Sequence, residues 1–269
     1  MPPFSPILNR LLASLANDDV SIPKLADLIE KDTVVAANVL HLVNSALYAR
    51  RGTVNSVRHA LSLLGLNKLR NAVLGMSITR MWNQVRTPPA WSMARFNLHS
   101  VAAALLADAL AQKVPVAYPE GAFVAGLLHD MGQLLIAIGL PDQYSQIMER
   151  AQTEGCSTAD AERDVLGFTH SELSAEALVA WNLPVPIQEA VRDHHFSAAA
   201  AVGGVLPLTI VVSAADRYVN STGASILPSP GVVVPDSSAL ACLGLKAEAQ
   251  SSLLVDFETE FANMKSFFR

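Results

Sequence analysis

Cysteine and charge are both scarce in this chain. Only two cysteines, Cys156 and Cys242, occur in 269 residues, too few for the disulfide framework of a small secreted domain. Charged residues make up 16% and hydrophobic residues 51%, which excludes a highly charged disordered chain and provides for a substantial core. A secretory signal is missing too, because Arg10 interrupts the one apolar stretch near the N-terminus. Only Ala198 to Ala215 is long and apolar enough to suggest a membrane span. It contains Gly203, Gly204 and Pro207, consists mostly of small residues and runs into Asp216, so it reads as a buried helix. These absences together predict a cytoplasmic protein with no membrane segment.

Alternating strand patterns are absent apart from Val232 to Val234, which sits between Pro230 and Pro235. Helical spacing is abundant instead. Leu25, Leu28, Ile29, Val35, Val39, Leu40 and Val43 recur at three and four residues, with Asp32 and Thr33 offering a cap where the pattern restarts. The spacing predicts further helices over Val54 to Leu64, ended by Gly65, and over Leu66 to Trp82. Others are expected from a Ser92 cap to Ala111, from Pro119 through Leu134, and over 143–152, 159–165, 171–181, 186–194, 206–219 and 246–268. The expected fold class is all-α.

Two features divide the chain. The consecutive Pro88 and Pro89 disfavour helix on both sides. They set the expected boundary between an N-terminal helical subdomain, 1–89, and a second helical domain, 90–269. Charge is segregated as well: residues 1–95 carry 11 Lys/Arg against 5 Asp/Glu, while the remainder carries 8 against 19. The arginines of the basic half, among them Arg50, Arg51, Arg58 and Arg80, could meet nucleic-acid phosphates. Solvated helix ends or contacts to the acidic half account for them better, and nucleic acid is not the expected partner.

Five of the seven histidines lie in the acidic half: His99, His129, His170, His194 and His195. His129-Asp130 is a short doublet that chance could produce. Asp130, however, falls inside the apolar run Phe123 to Leu135, where a carboxylate needs a cation or donors to offset its desolvation. Imidazole nitrogen and carboxylate oxygen are the donors that Zn, Fe, Mn or Mg sites use, and a helical bundle supplies such ligands one or two per helix from facing surfaces. His99 on one helix, His129-Asp130 at the middle of the next, and Asp216 at the centre of a later one meet that description. His41 and His59 stand outside this order and read as ordinary helix histidines.

The segment Ala122-Phe123-Val124-Ala125-Gly126-Leu127-Leu128-His129-Asp130-Met131-Gly132 resembles the core motif of the HD superfamily, whose metal ligands run in the order His, His-Asp, Asp. The stretch Leu25 to Tyr48 with Asn44-Ser45-Ala46-Leu47-Tyr48, then Ala60 to Leu66, is similar to the HDOD branch, the HD-related output domains of bacterial signalling proteins. Leu166-Gly167-Phe168-Thr169-His170, Trp181-Asn182-Leu183-Pro184 and His194-His195 continue the likeness. The resemblance implies an HD-type helical bundle over 90–269 behind the N-terminal subdomain. It implies a divalent transition metal (Fe, Mn, Zn or Ni) at His99, His129, Asp130 and Asp216. His170, His194 and His195 match positions where the related HD-GYP phosphodiesterases hold a second metal.

Two departures from those phosphodiesterases bear on chemistry. Gln133 stands where they carry a lysine, and no Gly-Tyr-Pro signature follows His195. The function implied is therefore a regulatory output protein in bacterial signal transduction, without catalysis, that engages a signalling protein or a small nucleotide ligand. The alternative is a metal-dependent phosphohydrolase or phosphodiesterase acting on a nucleotide or cyclic dinucleotide.

Overall fold

The computed structural model describes residues 6–13, 22–45, 53–195, 204–227 and 233–265. Among these residues there are fourteen α-helices and no strand, the only bridge pairing being an isolated parallel one between Val116 and Leu206. The fold is all-α, as the periodicity predicts. Val233 and Val234 lie in irregular chain, and Val232 falls outside the described residues.

Contacts group the chain into two units, Met1–Val85 with Leu245–Arg269, and Arg86–Gly244. The C-terminal segment thus clusters with the first unit, whereas the sequence reading assigned it to the second. The first unit contains α1 (Pro6–Ala13), α2 (Ile22–Glu30), α3 (Thr33–Val43), α4 (Val57–Leu64), α5 (Leu66–Trp82) and α14 (Ala247–Met264). Caps set its boundaries. Asp32 Oδ1 accepts from the Val34 and Val35 amides at 3.1 Å, and Ser56 Oγ from His59 at 3.2 Å. Gly65, at φ +79°, makes the turn between α4 and α5 that a side chain would strain. Leu69, Val73, Leu74 and Trp82 of α5 are fully buried. Arg58 pairs with Asp27 of the same unit at 2.5 Å, while Arg50 and Arg51 lie outside the described residues.

The second unit contains α6 (Met93–Ala111), α7 (Ala122–Leu128), α8 (Met131–Gly139), α9 (Pro141–Glu154), α10 (Thr158–Leu166), α11 (His170–Ala180), α12 (Val185–Arg192) and α13 (Leu208–Ser221). Ser92 caps α6 as expected, its Oγ accepting from the Arg95 amide. From Phe96 to Ala107 nearly every residue of α6 is buried, the signature of a helix enclosed on all sides. Small residues permit this enclosure. A Cβ on Gly126 of α7 would fall 2.8 Å from both Ala103 O and Ala104 Cα of α6, so only glycine lets the two helices meet that closely.

The helical run Pro119–Gly139 is long and apolar enough to cross a membrane, yet 89% of its most apolar window is buried inside the protein. It is the core of this unit. The span considered from sequence, Ala198 to Ala215, lies partly outside the described residues, and its described end enters α13.

Gly126→Ala should force α6 and α7 apart and cost about 1–3 kcal/mol, the usual penalty of overpacking a core. Urea denaturation measures this, and an unchanged midpoint would mean that the Gly126 contact is slack.

Candidate metal centre

Five segments of the second unit deliver seven ionisable side chains to one place. His99 comes from the middle of α6 and Asp216 from the middle of α13. His129 and Asp130 occupy a break: α7 ends at Leu128, α8 begins at Met131, and Asp130 has left helical geometry at φ −98°, ψ 7°. The sequence reading put this doublet inside one continuous helix. Ser174 of α11 explains the difference, because its Oγ donates to His129 O at 2.9 Å and accepts from Gly132 N at 2.7 Å. A side chain inserted into the backbone ladder satisfies the groups that the break exposes.

Gly132 allows that insertion. A Cβ there would lie 2.0 Å from His170 O, so α8 seats directly on the start of α11. His170 is the first residue of α11, behind a capping box formed by Thr169 and Glu172. The helix expected to reach His194 ends at Arg192, and His194 and His195 lie in the turn that follows.

The donor atoms form two sets, His99, His129, Asp130 and Asp216, and Asp130, His170, His194 and His195. Within each set the ligand atoms lie within 4.8 Å of one another. Asp130 belongs to both. Its Oδ2 lies 3.1 Å from His99 Nε2 and 3.4 Å from His129 Nε2. Its Oδ1 lies 3.1 Å from His170 Nε2 and 3.6 Å from His194 Nε2. Asp216 Oδ1 completes the first set, 3.2 Å from His99 and 3.4 Å from His129, and also accepts from Asn220 Nδ2 at 2.7 Å.

The outer nitrogens are pinned. His99 Nδ1 meets Ala224 O at 2.9 Å, His129 Nδ1 meets Gly126 O at 2.8 Å, and His194 Nδ1 meets Val191 O at 2.7 Å. A carbonyl only accepts, so each Nδ1 carries the proton and each Nε2 points inward, the orientation of metal-ligating histidines. Inward nitrogens then face one another, at 3.2 Å for His99 and His129 and 2.8 Å for His170 and His195. Two lone pairs at that separation require a proton or a cation between them. Asp130 Oδ1 and His194 Nε2 are buried without a hydrogen bond. The donor set fits a divalent transition metal.

The comparisons agree with this architecture. The HDOD domain matches residues 1–197. The chain belongs to the HDOD domain family. An HDOD protein of unknown function from Geobacter sulfurreducens superposes with a TM-score of 0.79 at 25% identity, over 99% of this chain and 91% of that one. A candidate phosphohydrolase from Shewanella amazonensis gives 0.75 at 20% identity, over 100% and 95%, a likeness of fold alone. An uncharacterised protein of Treponema pallidum is 23% identical over 206 residues, 72% of this chain; the match spans 37% of that relative's length.

In this HDOD chain the charges compensate one another when no metal is bound. Burial disfavours the imidazolium of His99, but Asp130 and Asp216 outweigh it and push its pKa up to about 9. Burial acts likewise on His170, where Asp130 and Glu162 prevail and push it up to about 10. His129 is also raised, burial being outweighed by Asp130 and Asp216. Asp130 and Asp216 are held well below the usual carboxylate range, because contacts to the histidines overcome desolvation. Desolvation pushes His194 and His195 down, and neighbouring imidazoles add to it.

Sequence reasoning named all seven residues of the cluster and missed their supports. Arg95, one turn before His99, donates to the carbonyls of Ser225, Ile226 and Leu227. With His99 on Ala224 O, α6 therefore holds four consecutive carbonyls of the chain after α13. Glu162 of α10 was also missed. It accepts from His170 N at 2.6 Å and from His170 Nδ1 at 2.7 Å.

The stabilisation from His99, His129 and His170 is complete below the ordinary histidine pKa of 6.5 and is lost as pH rises through about 9 to 10. His194 and His195 act oppositely, costing stability only below 6.5. Metal-free protein should therefore lose thermal stability steadily from pH 7 to 10, read by calorimetry in chelator. A flat profile over that range would remove the imidazolium pairs from the account.

Proposed function

We propose that this chain is an output module of bacterial signal transduction whose His/Asp centre binds divalent transition metal and which regulates a partner without turning over a substrate. The metal half of this reading rests on Asp130, whose two oxygens serve two sets of inward-facing imidazoles. Imidazole and carboxylate donors with no thiolate suit Fe, Mn, Zn or Ni. His99, His129, Asp130 and Asp216 would hold one ion, and His170, His194 and His195 with Asp130 a second. A bound divalent ion supplies a Lewis acid and lowers the pKa of bound water.

The regulatory half rests on the cavity beside the centre, about 350 Å³, which reaches Asp130, His170, His195 and Asp216. None of the described residues lining it is a lysine or arginine, and Gln133 forms part of its wall. Phosphoryl transfer draws on fixed positive groups around the transferred oxygens, and apart from the histidines and carboxylates of the two donor sets the protein side of this cavity offers amides and hydroxyls. The same reading puts the chain in the cytoplasm, acting on a signalling protein or responding to a small nucleotide. The pairing of Arg58 with Asp27 supports a structural use of the basic residues over contact with nucleic acid.

A second reading draws on the same cavity. Its volume admits a small ligand beside both sets of donors, as a metal-dependent phosphohydrolase or phosphodiesterase of nucleotides or cyclic dinucleotides requires.

Elemental analysis of purified protein should find at least one equivalent of Fe, Mn, Zn or Ni. Asp130→Ala should empty both positions, since a methyl group cannot replace a shared carboxylate. Protein that stays metal-free after reconstitution would end the metal reading. Metal-loaded protein should leave cyclic dinucleotides, nucleotides and generic phosphoesters intact. Turnover that disappears in His129→Ala would replace the regulatory reading with the hydrolase.

A further inference from the structure

Glu162 is a buried carboxylate that the centre's ligand sets leave unused. It is 2% exposed and lies on α10, a helix that contributes no ligand. Burying a carboxylate is unfavourable unless strong donors meet it. Both of its recorded donors come from His170, the backbone N–H at 2.6 Å and Nδ1 at 2.7 Å, and both meet the same oxygen, Oε2. These are the short lengths of charge-assisted bonds.

The two bonds do different things. The His170 amide is one of the unpaired donors at the start of α11, so the first bond anchors the backbone beneath the imidazole. The second fixes the ring. With Nδ1–H committed to Glu162, Nε2 is the ring nitrogen left to face Asp130 Oδ1, 3.1 Å away. His99, His129 and His194 are oriented by neutral backbone carbonyls, whereas His170 is oriented by a carboxylate. Such a partner both aligns a ligating imidazole and makes its inner nitrogen a stronger donor.

Resting on the reading that the centre holds metal, we propose that Glu162 is the positioning residue of the second metal position. It holds His170 with Nδ1–H toward itself and Nε2 toward Asp130, so occupancy of the Asp130, His170, His194 and His195 set depends on a carboxylate that never touches the ion.

Metal-free wild type, Glu162→Gln and Glu162→Ala are titrated with Mn(II) and with Zn(II), counting equivalents by calorimetry and elemental analysis. NMR of the metal-free proteins follows the His170 Nδ1 proton. Wild type should bind two equivalents and show that proton far downfield and slow to exchange. Glu162→Ala should lose the proton signal and bind the second equivalent about 10–100-fold more weakly, with the first unchanged. Glu162→Gln keeps an acceptor oxygen without the charge, so it should fall between the two. A residue that only stabilised the start of α11 would lower the melting temperature and leave the second equivalent at wild-type affinity. That result in Glu162→Ala overturns the proposal, and in Glu162→Gln it does so if the alanine variant fails to fold. One equivalent in wild type overturns it while the metal reading stands, and no uptake by wild type overturns the metal reading itself.

Discussion

A carboxylate with almost no access to water, Asp130, sets the terms for everything around it. It is 5% exposed and shared between two sets of imidazoles. Left without cations it would cost several kcal/mol, comparable to the whole stability of many domains. The protein meets this cost by surrounding the group with protonatable histidines, whose inward protons a divalent ion can displace. The geometry this requires is local and exacting. The backbone must leave helical geometry at Asp130, a hydroxyl from Ser174 must enter the gap, and α8 must approach His170 with no Cβ between them. Remove the buried charge, and neither the break nor Gly132 has an evident purpose.

Family membership establishes the scaffold and leaves the chemistry to the site, since one fold hosts many functions. The arrangement here combines two sets of candidate metal donors with a cavity whose described walls carry no lysine or arginine. The proposed regulatory role draws on that combination. Gln133 carries the distinction: it is buried to 8% exposure at the cavity wall, where a cation would have changed the balance.

Much of this was legible in the residues because the signals were local. Asp32 and Ser92 read as caps and are caps; Gly65 read as a stop and is one. Asp130 stood out as a carboxylate in an apolar run, and His99, His129 and Asp216 as metal-type donors spaced over successive helices; all four are buried. The break at His129-Asp130 was hidden because Phe123 to Leu135 is apolar throughout, so no change of period marks it. Glu162 sits in the polar run Ala159 to Asp164 among other acids, where nothing distinguishes a buried carboxylate from a solvated one. Gly132 and Ser174 act on partners some forty residues apart, and the grouping of the C-terminal helix with the first unit requires the chain to return over most of its length. Such long-range features leave no pattern in a short window.

The enclosure of α6 also gives the centre a direction. His99 and His129 are completely buried, and neither lines the cavity, whereas Asp130, His170, Asp216 and His195 do, with His195 exposed. The centre therefore has a closed floor and an open mouth. Both donor sets meet solvent through one opening, since Asp216 of the first set and His170 and His195 of the second line the same cavity.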